Sequence, residues 1–225
     1  MPEIAPRLTA AAEALGLRLS PKQAARLAAY AEGVLSLNRR LNLTGARDAE
    51  QLLSVLVLPS LGIQVAWPAD GAPPRRVIDI GSGNGFPGVA AAALWPRAQV
   101  LLVERRRKKA RAMGTCLASA GITNAQALGC DAREVKNRRP DVMGTADLVT
   151  LRAVGPLADT THLAAPFLAP GGRIVHWKGE NLDAAERAEG AEAARAHGLR
   201  IADPVPQPDG RGVFIIYVRP DGASA

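Results

Sequence analysis

The apolar positions in the first third of the chain recur at helical spacing. Leu27, Tyr30, Ala31, Val34, Leu35 and Leu41, with Asn38 on the same stripe, fall at three- and four-residue steps, which predicts one amphipathic helix over 21–41. Ser20-Pro21 supplies a cap residue followed by proline at the first helical position. Similar patterns predict a helix over about 7–16, closed by Gly16, and another over 48–58 capped by Asp48. "WPADGAPPRR" (67–76) is turn-rich and reads as a linker. Beyond it, short apolar runs alternate with helical ones. Strands are predicted at Val77–Ile80, Val100–Val103, 125–130, 146–153 and 173–179, with helices at 89–94, 106–120, 156–168 and 182–197. "LRIADPV" and "GVFIIYV" complete seven strands. Strands alternating with helices require crossover connections, so the expected fold is α/β. Its mostly parallel seven-stranded sheet carries helices on both faces. The expected boundaries are a helical segment, 1–66, packed on an α/β domain, 75–219.

A chain of 225 residues, 48% hydrophobic, suffices for one sizeable core. No run approaches the ~18 apolar residues of a membrane span, and "MPEIAPRLTAAAEALG" has an early Glu3 and no long apolar centre, unlike a signal peptide. Two cysteines, Cys116 and Cys130, make no disulfide framework, and three scattered histidines (His162, His176, His197) argue against a metal site. The expected setting is therefore the reducing cytoplasm, with no membrane and no metal. The net charge of +7 and a pI of about 10.1 point to an anionic partner, nucleic acid first. A GC-rich coding bias toward Arg would raise the pI in the same way, so charge alone leaves both readings open.

The stretch "VIDIGSGNGFPG" (77–88) narrows the choice. In a doubly wound sheet, ligands bind at the carboxyl ends of the strands, and glycine lets a ligand approach the backbone. Gly81, Gly83 and Gly85 have the spacing G-x-G-x-G, and Phe86 stands where a dinucleotide fingerprint needs its third glycine. No Gly-Lys-Ser/Thr follows, so the turn is not a P-loop. Asp79 ahead of the glycines would repel a pyrophosphate and suits a cationic ligand carrying an amino group or a sulfonium. Glu104, at the end of the second strand, can accept two hydrogen bonds from ribose hydroxyls. Asp131, after the third strand, is placed to meet an adenine amino group. S-adenosylmethionine (SAM) has all of these features.

The segment "VIDIGSGNG…VERRR…GCDARE…DLVTLRA…LAPGGRIVHWKG" resembles the class I SAM-dependent methyltransferases. More narrowly, "NRRLNLTGARDAEQL" (38–52), "GFPG" (85–88), "ERRRKKARAM" (104–113) and "TLRAVGPL" (150–157) resemble motifs of the RsmG (GidB) family. That family methylates guanine N7 in 16S (small-subunit) ribosomal RNA. The resemblance implies a Rossmann-like SAM-binding domain. By that resemblance Gly81, Phe86, Glu104 and the turn Asp131, Ala132 and Arg133 would surround the cofactor, joining Asp79, Gly83 and Gly85 from the reading of the residues and Arg105 at the start of the basic run. Arg152 would lie at the pocket mouth near cofactor and base. The implied partner is ribosomal RNA or a small-subunit precursor, met by a monomer. Two features depart from the family pattern. Leu56 and Pro59 stand where a His and an Asp are expected, with Ser60 retained, and the chain ends soon after Tyr217.

Guanine N7 already carries a lone pair, so methyl transfer to it needs no general base, and the sequence offers no obvious one. Proximity and alignment would carry the catalysis. Positive charge moves onto the base during transfer, so Arg152 is assigned to orienting base or carboxylate by paired hydrogen bonds. Arg106, Arg107, Lys108 and Lys109, at the start of the helix after Glu104, are assigned to RNA phosphates. The rival readings are a methyltransferase of this fold acting on a small molecule or protein, and a degenerate, non-catalytic SAM- or ribosome-binding homologue.

Overall fold

The computed structural model describes residues 4–222. Helices α1 (Ile4–Ala14) and α2 (Pro21–Leu41) open it. α2 starts where its cap residues place it. Ser20 accepts a hydrogen bond from the Gln23 N–H, and the Gln23 side chain accepts one from the Ser20 N–H, a reciprocal capping box ahead of Pro21. The next helical run starts on Asp48, whose Oδ1 accepts from the Gln51 N–H at 2.8 Å. It does not stop at 58 as expected. It continues as α3 (Ala49–Leu52), a π-turn over Leu53–Val57, α4 (Leu58–Leu61) and α5 (Ile63–Ala66). Pro59 has no N–H to return to the Val55 carbonyl, and the chain meets this loss with a widened turn rather than a helix end. The sequence expectation that no stretch reaches a membrane span does not hold for Ala49–Ala66, which is long and apolar enough by length and composition because the helical run continues past 58. Half of it is buried here, with Leu52, Val57, Leu61 and Ile63 in a core shared with the sheet.

The strands are β1 (Arg76–Ile80), β2 (Gln99–Val103), β3 (Ala125–Leu128), β4 (Ala146–Arg152), β5 (Leu168–Gly179), β6 (Arg200–Ile201), β7 (Val205–Pro206) and β8 (Gly212–Val218). Between them lie α6 (Gly88–Leu94), α7 (Arg107–Ser119), α8 (Val135–Arg138), α9 (Leu157–Ala164) and α10 (Ala184–Ala196). The sheet runs β3-β2-β1-β4-β5-β8-β6, and β7 also pairs with β8. The first five strands in that order are mutually parallel and β8 is antiparallel. Eight strands replace the expected seven because "LRIADPV" divides. β6 pairs with Tyr217 and Val218, and β7 with Val213 and Phe214. Pro204 between them has no N–H for the ladder. α9 also ends earlier than expected, and β5 begins earlier, at Leu168.

β1 has β2 on one side and β4 on the other, so the winding reverses at this seam and a crevice opens at the strands' carboxyl ends. Side chains alternate across the sheet. Val77, Leu102, Leu148 and Trp177 join a core with the N-terminal helices, α6 and α7. Ile78, Ile80, Val103 and Leu151 join a second core with α8, α9 and α10. The site below is divided by the same alternation.

Candidate functional site

A cavity of about 440 Å³ lies over the tips of β1, β2 and the turns after β3 and β4. Six of the sequence-derived cofactor residues line it: Gly81, Glu104, Arg105, Asp131, Ala132 and Arg133. Glu104, at the end of β2, is buried, and its carboxylate is tied at both oxygens. Oε2 accepts from the Gly83 N–H at 3.0 Å and Oε1 from the Arg106 N–H at 2.8 Å. The acid thus joins the turn after β1 to the entry of α7. Asp131 caps the 3-10 turn Ala132–Glu134, its Oδ1 accepting from the Arg133 N–H at 2.9 Å. Cys130, also in the lining, is buried, and burial pushes its thiol up.

Four cofactor-assigned residues are not in the lining: Asp79, Gly83, Gly85 and Phe86. Asp79 is wholly buried on the face shared with Val77, whereas its neighbour Ile80 lines the cavity. The two-residue alternation of β1 turns the carboxylate away from the cavity. Its Oδ1 accepts from the Thr150 hydroxyl of β4 at 2.6 Å. Burial pushes this carboxyl up to about 7, against the pull of the Thr150 hydrogen bond and the Arg152 charge. Gly85 serves a neighbouring helix. It has φ +102°, and a Cβ there would run into the Tyr30 hydroxyl. That hydroxyl donates to the Asn84 carbonyl at 2.8 Å. Phe86 is buried edge-on to Tyr30, ring centroids 5.6 Å apart. The glycine turn is therefore braced from α2 on one side and open to the cavity on the other. At Gly81 (φ +71°) an added Cβ would lie 2.8 Å from Val154 Cγ2, so the turns after β1 and β4 are packed against each other.

Arg152 does not line the cavity either. It lies on the Asp79 face of β4 and reaches the π-turn. One Nη donates to the Leu56 carbonyl and the Ser60 hydroxyl, both at 3.2 Å, and the other to the Val55 carbonyl. In an α-helix Val55 would accept from residue 59, and Pro59 has no N–H to give. The guanidinium takes the place of that donor. In the register neighbour of Arg152, Trp177, the ring Nε1–H donates to the Pro59 carbonyl at 3.1 Å. The residues that depart from the family pattern, Leu56 and Pro59, thus sit in the contact between the N-terminal helices and the sheet.

The sequence reading missed the wall after β4. Ala153, Val154, Gly155 and Pro156 line the cavity, followed by Asp159 and Thr160 of α9. Ala153 takes a left-handed φ of 55°, uncommon for a residue with a Cβ. No residue type along this stretch announces a binding wall. Of the four residues assigned to RNA, Arg106 and Lys109 line the cavity, and Arg107 and Lys108 are exposed beside it. Among the described residues no group of three metal-ligating side chains occurs.

The donor set fits SAM. A buried carboxylate stands at the tip of β2, a second follows β3, Ile80, Val103 and Leu163 supply apolar walls, and Gly81 brings backbone to the cavity surface beside Val154. The fold agrees. The chain resembles Aeropyrum pernix fibrillarin solved with natively bound S-adenosyl-L-methionine, at TM-score 0.55 and 21% identity over 70% of this chain and 74% of that one. It also resembles a geranyl diphosphate methyltransferase at TM-score 0.60 and 15% identity over 84% and 86%. Sequence relatives are nearer. The ribosomal RNA small subunit methyltransferase G of Ralstonia nicotianae is 38% identical over 79% of both chains. That of Leptothrix cholodnii is 33% identical over 95% of this chain and 94% of its own. The family model described as rRNA small subunit methyltransferase G matches residues 23–202. With its SAM-type cavity and that match, the chain belongs to the GidB family of small-subunit ribosomal RNA methyltransferases.

Proposed function

We propose that this protein methylates a guanine N7 of small-subunit ribosomal RNA, with SAM as donor. One observation carries the RNA half of this reading: the acid that suits a ribose, Glu104, is buried in a cavity whose rim carries Arg105, Arg106 and Lys109. Acid inside suits the nucleoside of the donor, and bases at the rim suit phosphate.

SAM supplies an electrophilic methyl group on a sulfonium. The protein's residues hold and orient. Glu104 accepts from the ribose hydroxyls once its bonds to the Gly83 and Arg106 N–H groups rearrange or are shared. Asp131 and the turn Ala132–Arg133 flank the adenine, and the Val154–Pro156 wall limits the space left for the base. The N7 lone pair is free to attack, so no side chain has to remove a proton. Catalysis comes from alignment and from exclusion of water. Arg152, assigned from the sequence to the base, acts in this geometry through the wall it anchors, as a positioning residue.

The test uses labelled SAM and ribosomal RNA from a strain lacking the modification, followed by borohydride and aniline cleavage at N7-methylguanine. Cleavage at one guanine of the small-subunit RNA is expected. Label on RNA without such cleavage would move the target to another atom. No label on RNA, with label on a small molecule or protein, would replace the substrate class.

A further inference from the structure

The cavity wall Ala153–Pro156 lies outside helix and strand, so something else must fix its shape. Two charged residues from distant elements hold its backbone. Lys178, near the end of β5, donates from Nζ to the Gly155 carbonyl at 2.9 Å and to Glu186 Oε1 at 2.6 Å. The same Glu186 oxygen, on α10, accepts from the Leu157 N–H at 3.0 Å. The chain of contacts runs from Gly155 O through Lys178 Nζ and Glu186 Oε1 to Leu157 N. It brackets Pro156, which has no N–H of its own to tie down.

The charged half of the ring is partly shielded, the Lys178 and Glu186 side chains being 17% and 29% exposed, while Gly155 and Pro156 face solvent. Leu157 opens α9, where N–H groups lack intrahelical partners and a carboxylate is favoured. An ordinary ion pair would only clamp β5 to α10. Apolar packing already brings α9 and α10 together, since a Cβ on Gly190 would lie 2.5 Å from Leu157 Cβ. What the charges add is contact with the wall's backbone on both sides of Pro156. Val154, one residue upstream, is the side chain packed against Gly81.

We propose that Lys178 and Glu186 are positioning residues for methyl transfer: their ring with the Gly155 carbonyl and the Leu157 N–H sets the Val154–Pro156 wall against Gly81 and so sizes the cofactor cavity. This rests on the methyl-transfer reading of the cavity given above.

Four variants of the full chain test it: K178M, K178R, E186Q and E186A. Binding of S-adenosylhomocysteine is read by calorimetry, methylation of unmodified small-subunit RNA by label transfer, and folding by near-UV circular dichroism. Displacing a binding wall by about 1 Å is enough for losses of tenfold to a hundredfold. K178M and E186A are expected to weaken binding about tenfold and slow turnover at saturating cofactor about as much, on a base of rate enhancement that depends on such alignment. K178R, which can still donate to both acceptors, should recover to within about threefold. E186Q keeps an oxygen for Leu157 N–H while losing the charge, and should fall between. The inference is overturned if K178M and E186A bind and turn over within about twofold of the parent protein, the scatter such alignment losses must exceed. It is also overturned if K178R fails to rescue, or if the losses equal the fall in folded protein at the assay temperature. The two readings fail differently. If the RNA assignment is wrong, the parent protein methylates no RNA while the binding order of the variants persists. If the wall inference is wrong, the parent protein methylates and the order is flat.

Discussion

Two of the turns around the cavity, those after β1 and β4, are held in opposite ways. The turn after β1 is held largely by its own backbone and its neighbouring strand. The N–H groups of Gly81 and Ser82 both donate to the Val103 carbonyl, at 2.9 and 3.0 Å, and the Gly85 N–H donates to the Ser82 carbonyl at 2.7 Å. Left-handed glycines make that path possible. The wall after β4 is held by side chains from elsewhere. Arg152 ties its near end to Val55, Leu56 and Ser60, and Lys178 and Glu186 tie its far end at Gly155 and Leu157. The first turn takes its path mostly from glycines at the spot, with Tyr30 of α2 and Glu104 as added braces, whereas the second depends throughout on partners that only the folded chain brings together. Substitutions in the first should therefore strike the fold, and those around the second should strike its geometry.

The largest effect is expected in the first turn. Gly85→Ala must keep φ at +102° and fit its Cβ where the Tyr30 hydroxyl lies. Left-handed strain and overpacking together should cost about 3–5 kcal/mol, read as a lower urea midpoint. Tyr30→Phe in the same chain removes the colliding oxygen and should return part of the loss. A Gly85→Ala protein as stable as the parent would break the claim that α2 shapes this turn.

Next comes the near anchor of the wall. Arg152→Met removes the side-chain donors to the Val55 and Leu56 carbonyls. The exposed Val55 carbonyl can turn to water and the Leu56 carbonyl keeps the Ser60 hydroxyl, so the loss is that of the direct hydrogen bonds, about 0.5–1.5 kcal/mol, and the melting temperature should fall slightly. Arg152→Lys keeps a charge but cannot span three acceptors and should recover little. If turnover collapsed in Arg152→Met while the melting temperature stayed at the parent value, Arg152 would instead act on the base directly.

Asp79 joins the strands that carry the two turns, through Thr150, and its effect is read by pH. Its folded pKa, about 7, lies above its ordinary value of 3.8. The native state therefore holds a proton that the unfolded chain has lost anywhere between those values. Stability should fall as pH rises from about 4 to 7 and level off above, by up to about 1.4 kcal/mol per pH unit. Asp79→Asn can still accept from Thr150 and has no charge to bury, so it should lose this slope and exceed the parent's stability at pH 8. Tyr30 and Arg152 are the other ionisable groups felt across this face, and neither titrates in that window. Parallel stability curves for the two proteins between pH 5 and 8 would show Asp79 to be charged throughout.

The same contrast explains which features are legible in the sequence. The parallel sheet, the capping of α2 and the placing of Glu104, Asp131 and Gly81 around one cavity follow from local signals: apolar period, cap residues, and acids just past strand ends. For Asp79 the sequence shows its distance from the glycines, which suggests the ligand, but not which face of β1 it takes. The period of two, counted from Ile80 in the lining, would have turned it away. Gly85 was read as room for a ligand because nothing nearby in sequence announces Tyr30. Arg152 was recognised but its partners were not, since they lie about a hundred residues upstream and depend on the proline that opens the π-turn. Lys178 belongs to the segment "LAPGGRIVHWKG" that carries the resemblance, but nothing there points to Glu186. Their meaning is the ring they close around Pro156, which is a property of the fold.

The smallest effects belong to the basic rim, where the contrast between lining and neighbouring residues is sharpest. Lys109 lines the cavity, and Lys108 beside it does not. If the rim meets phosphates, each lost contact should lower the slope of log K against log salt by about 0.7–0.9 and weaken binding a few-fold at moderate salt. Lys109→Ala should show that change, and Lys108→Ala less than half of it, because α7 turns adjacent residues about 100° apart. Both should leave the affinity for S-adenosylhomocysteine nearly as it was, since neither holds Glu104, whose oxygens are taken by the Gly83 and Arg106 N–H groups. Equal slopes for the two variants would mean that RNA meets the whole exposed face of α7 rather than the cavity rim. Unchanged slopes in both would move the RNA surface off this helix while leaving the cofactor cavity as described.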